Sequence, residues 1–70
     1  MTDIDQLRRD AAEKTAFALQ AEITIRMQQY DHLFKNPDVN TYIKAGDLNM
    51  LALQIKDLAE HLADASSRMR

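Results

Sequence analysis

Seventy residues with one glycine, one proline and no cysteine leave room for one domain at most, and at that size a high surface-to-volume ratio makes folding alone marginal. The lack of cysteine excludes a disulfide framework and a thiolate zinc site as the remedy, so association with a partner or a second copy is the expected one. Nine Lys or Arg stand against eleven Asp or Glu with the signs interspersed, for a net charge of −2; that balance argues against electrostatic nucleic-acid binding and against a basic membrane-surface helix.

The opening MTDIDQLRRD places acids where a secretory signal needs a basic region and an apolar run; the expectation is a cytosolic chain with no membrane-spanning segment. Thr2 with Asp5 three residues later resembles a capping box, which starts a first helix at about Asp3. From Ile4 to Phe34 there is no glycine or proline, so the first helix is predicted over about 3–34.

Its apolar residues separate on a helical wheel into two groups. Ala12, Ala16, Leu19, Ile23, Met27, Tyr30 and Phe34 follow at three- or four-residue steps and form the main stripe; Ile4, Leu7, Ala11, Ala18, Ala21 and Ile25 form a second stripe on broadly the opposite side. Either the second stripe stays exposed as an interaction surface, or both belong to one broad seam of a bent or supercoiled helix.

A break follows at about residues 35–37, where Pro37 removes a backbone donor and drives Asn36 out of helical geometry. Asn36 as cap, Pro37 in the first turn and Asp38 near the positive end of the dipole predict a second helix over about 37–66. So short a connection makes the fold class an all-α, antiparallel two-helix hairpin, coiled-coil-like, forming a rod of roughly 45–50 Å. In the second helix, Leu48, Leu51, Ala52, Ile55, Leu58, Ala59 and Leu62 make the main stripe, while Val39, Ile43, Met50 and Leu53 point largely elsewhere. Gly46 marks either a close backbone approach or kink, or a tolerant surface position.

Chemistry-bearing patterns are sparse. A two-helix rod has little room for a water-excluding pocket, no phosphate loop or serine elbow appears, and no enzyme activity, cofactor or small-molecule substrate is expected. His32 and His61 fall at different levels of the rod, and Glu60, His61 and Asp64 read as a solvated polar face. Arg8, Arg9 and Lys14 are diluted by Asp3, Asp5, Asp10 and Glu13, and Arg68 and Arg70 suit a helix C-terminus, so nucleic acid is a weak candidate partner. The expected protein-binding residues are Ile4, Leu7, Ala11, Ala18, Ala21 and Ile25, extended by Tyr42, Ile43, Met50 and Leu53. A self-paired four-helix bundle, as in a plasmid- or phage-borne regulator, is the alternative use of the second stripe.

The MT opening with Ile4 and Leu7, a first helix of this length, the brief break at Asn36 and Pro37, Tyr42 soon after it, and the stripe from Leu48 to Leu62 together form a layout. It resembles the YscE-type chaperones of bacterial type III secretion, small helical hairpins that hold needle subunits before export. The resemblance implies a bacterial cytoplasmic component of a heterotrimer, packed on a helical-repeat co-chaperone that cradles the amphipathic needle subunit and prevents its premature polymerisation. Hiding the apolar faces through which a needle polymerises fits a hairpin with an apolar face to spare.

Overall fold

In a computed structural model that describes residues 3–37 and 40–70, the chain is two α-helices, α1 (Ile4–Lys35) and α2 (Thr41–Ser67), packed antiparallel into a rod of 60 × 14 × 11 Å. Helix α1 begins where Asp3, in extended geometry, accepts a hydrogen bond on its carboxylate from the Asp5 amide at 3.0 Å; Thr2 lies outside the described residues. The cap is therefore Asp3, whose oxygen satisfies one of the amides left free in the first turn.

Asn36 ends α1 and does not start α2. Its φ of −76° and ψ of 111° are extended, as the clash with the ring of Pro37 requires, and its amide donates to the Leu33 carbonyl at 3.2 Å. The cap of α2 is Asn40, whose side-chain oxygen accepts from the Tyr42 amide at 2.8 Å. Helix α2 thus starts at Thr41, later than expected from Pro37, because the chain holds two asparagines able to cap and the second sits where the backbone re-enters helix. Asp38 and Val39, expected to complement the dipole and to point away from the main stripe, lie outside the described residues.

Apart from Asp10, the buried or half-buried positions of α1 are Ala12, Ala16, Leu19, Ile23, Arg26, Tyr30 and Leu33, and those of α2 are Lys44, Leu48, Leu51, Ile55, Leu58, Leu62 and Ala65. Both series step by alternating four and three residues, the seven-residue period of a coiled-coil seam. Shared linings set the register: Ala16 and Gln20 lie beside Leu62 and Ser66, and Met27 and Tyr30 beside Ala52 and Ile55. At the turn end the Lys44 ammonium donates to the Phe34 carbonyl at 3.1 Å, satisfying one of the last free carbonyls of α1 and complementing its dipole.

Met27 and Phe34, expected in the main stripe, stand outside the seam and are 57% and 59% exposed; Ala52 and Ala59 are exposed on α2. The strict seven-residue period puts Arg26 and Leu33 there in their place. Phe34 instead stacks on Tyr30, ring centroids 6.3 Å apart. The Arg26 side chain reaches Gln29 at 3.4 Å and Glu22 at 3.9 Å, while its Nε is buried with no hydrogen-bond partner among the described residues.

A buried donor without an acceptor costs about 1–3 kcal/mol, so Arg26→Leu is expected to raise stability by about 1 kcal/mol, read by urea unfolding; unchanged or lower stability would contradict this account of the seam. Gly46 has negative φ and open space where a Cβ would stand, which removes the reading as a close approach within the chain. Gly46→Ala should therefore stabilise by about 1 kcal/mol, seen as a higher Tm by circular dichroism.

Candidate protein-binding surface

Because the seam of α1 faces α2, the residues half a turn away face outward. Ile4, Leu7, Ala11, Ala18, Ala21 and Ile25 are all exposed, with Ile4 at 64%, Leu7 at 53% and Ile25 at 46%. With Lys14 included, this strip also steps by three and four: 4, 7, 11, 14, 18, 21, 25. A helix whose opposite sides repeat with the same seven-residue period is built to pack against helices on both sides.

Phe17 borders the strip and is 75% exposed. It joins Gln20, Ala21, Thr24, Ile25 and Gln28 around one shallow surface depression. Sequence patterning alone missed Phe17, since it belongs to neither stripe; its position one residue before Ala18, on the flank of the outer strip, was the available signal.

Tyr42, Ile43, Met50 and Leu53 are exposed as well, yet the structure does not join them to the strip on α1. Ile43, Gly46, Met50 and Leu53 run at three- and four-residue steps along the side of α2 that points away from α1. The two apolar strips therefore lie on opposite sides of the rod, and that of α2 is confined to the turn-end half, beyond which Asp57, Glu60 and Asp64 take over the same face. A narrower apolar groove, lined by Met27, Tyr30, Ala52 and Ile55 with Asp31 at its edge, runs between the helices on one flank.

The polar surface is organised locally. Glu22 with Arg26, Asp31 with Lys35 and Asp64 with the C-cap residue Arg68 are ion pairs four residues apart, each with the acid on the N-terminal side, the favourable sense. His61 faces Asp57 at 3.5 Å, and among the described residues no group of three or more His, Cys, Asp or Glu is placed to hold a metal ion. No helix is long and apolar enough to cross a membrane among the described residues. No family model, curated protein or solved structure matches the chain.

A fully exposed apolar side chain contributes little to the hairpin that carries it. Tyr42, in the first turn of α2, is 89% exposed, and its backbone amide donates to the Asn40 cap. Tyr42→Ser is expected to change unfolding free energy by less than about 0.5 kcal/mol; a larger loss in a denaturant titration would place Tyr42 in the packing of the hairpin instead.

Proposed function

We propose that this chain is a stoichiometric protein-binding component that catalyses no reaction, and that the outer strip of α1 is where its partner helix docks. The observation that carries the reading is the continuous exposed series from Ile4 to Ile25, repeating at the coiled-coil period on the side of α1 that α2 leaves open. Exposed apolar surface of this extent and regularity is costly to solubility and is characteristic of a surface covered in the functional complex.

In its most specific form, the proposal is that the hairpin is the small chaperone component of a bacterial type III secretion system, stabilising a helical-repeat co-chaperone and its needle subunit in the cytoplasm. Two features support it: the pattern-level resemblance to the YscE-type hairpins, and a chain with only two buried residues, both alanine, among those described. A hairpin so thinly packed gains most of its stability by mass action from whatever binds its folded form.

Co-expression with the needle subunit and helical-repeat co-chaperone of the same genome tests both levels. Leu7→Asp and Ile25→Asp are expected to abolish co-purification while leaving helicity in circular dichroism largely intact, since an unpaired charge buried in a helix-in-groove contact costs on the order of several kcal/mol. Undiminished co-purification of both variants would remove the strip from the interface, and no complex with the unaltered chain would remove the secretion assignment.

A further inference from the structure

The outer strip of α1 is complementary to itself when reversed. Read from one end, its apolar residues are Ile4, Leu7, Ala11, Ala18, Ala21 and Ile25; read from the other, large residues again stand at the end and alanines in the middle. Laid antiparallel on a second copy with the two-fold axis between Lys14 and Thr15, Ile4 falls opposite Ile25 of that copy and Ala11 opposite Ala18, while Leu7 comes within one residue of Ala21. In this register every apolar residue of the strip meets an apolar residue, with large set against small at Leu7 and Ala21, and each contact occurs twice as an isologous interface requires.

The flanks of the strip agree with that register. On one edge stand Arg8, Thr15 and Glu22, at seven-residue intervals. Antiparallel pairing brings Arg8 opposite Glu22 of the second copy at both ends of the contact and sets Thr15 beside its own copy at the axis. Arg8 also shares an open groove with Ala11, Ala12, Thr15 and the C-cap residue Arg68; the Arg68 guanidinium is paired with Asp64, so the cation an incoming Glu22 meets is Arg8. On the other edge, Asp3 and Asp10 fall opposite Thr24 and Phe17, with no like charges facing.

We propose that a second copy of this chain docks antiparallel on the outer strip of α1, in the register that pairs Arg8 with Glu22, to form a symmetric four-helix homodimer. Lys14 is the one residue of the strip that opposes it, because the two-fold axis places two ammonium groups near each other. A single polar residue in an otherwise apolar seam selects register at a cost in stability. With about 32 Å of helix in contact and alanines at its centre, the interface sits at the small, exchangeable end of protein contacts. Its use as a resting state, covering the strip until another helix displaces the second copy, rests on the adaptor reading above; the dimer itself does not.

Sedimentation equilibrium over a concentration series is the test, with charge variants at the exposed positions Arg8 and Glu22; because Glu22 also lies 3.9 Å from Arg26 of the seam, circular dichroism of each variant checks that the hairpin stays folded. Arg8→Glu and Glu22→Arg are each expected to weaken dimerisation about tenfold, by turning two attractive pairs into repulsive ones, and the double exchange Arg8→Glu with Glu22→Arg is expected to restore it. Since the chain has no cysteine, Ala11→Cys mixed with Ala18→Cys should form an intermolecular disulfide under oxidation, while Ala11→Cys alone should not. A monomer at every concentration, failure of the double exchange to recover, or self-linking of Ala11→Cys would overturn the proposal. Those results concern the homodimer alone, because co-purification with Leu7→Asp and Ile25→Asp tests the adaptor reading separately.

Discussion

The spacing of fourteen seam positions, seven on each helix, governs this molecule: from Ala12 to Leu33 on α1 and from Lys44 to Ala65 on α2, four-residue and three-residue steps alternate without a lapse. That regularity keeps one face of each helix on its partner over about 32 Å, roughly half the 60 Å length of the rod. The side chains grade along it. At the end away from the turn, Ala12 and Ala65 are buried, small enough to let the backbones come close. Leucines and isoleucines fill the middle, and toward the turn Arg26 and Lys44 bring polar groups into the seam. Lys44 is used there, bonded to the end of α1; Arg26 is held less completely, through its terminal nitrogens only.

A seam only two helices wide cannot remove its large side chains from water. Leu19, Ile23, Leu48, Leu51, Ile55, Leu58 and Leu62 are half-buried, and no large side chain is fully enclosed among the described residues. The hydrophobic term scales with the area removed from water, so the hairpin folds with part of that term unrealised. The outer strip of α1 makes the point more strongly, as it repeats the period of the seam where the chain supplies nothing to meet it. Stability and binding are therefore one question here: a helix laid on Ile4, Leu7 and Ile25 would bury apolar area and hold α1 in the shape that α2 also needs.

Charges play a different part. The ion pairs join residues four apart on exposed surface, where each is worth about a few tenths of a kcal/mol. They support helicity locally and do not hold the two helices together. Arg26 and Lys44 in the seam favour a particular alignment, since sliding either helix by a turn would carry these cations against apolar neighbours; polar residues in coiled-coil seams act in this way at some cost in stability.

Local rules were enough to read the helical hairpin: thirty-one residues from Ile4 to Phe34 without a breaker, one proline to end them and a second apolar run can produce little else. The second stripe of α1 was legible for the same reason, since a wheel is geometry that a single helix carries with it; that it lies outside the seam is decided by where α2 packs. Where α2 begins was not legible, because Asn36 and Asn40 are equally able to cap and only the course of the chain around Pro37 selects between them. Nor was the membership of the seam. Met27 and Phe34 are more apolar than Arg26, and a straight helix would favour them, yet two helices that stay in contact over many turns must follow a seven-residue period, which turns Arg26 and Leu33 inward and leaves Met27 and Phe34 in water. The separation of Ile43, Met50 and Leu53 from the strip on α1 likewise appears only when the helices are paired, because facing seams put the two remaining apolar strips on opposite sides of the rod.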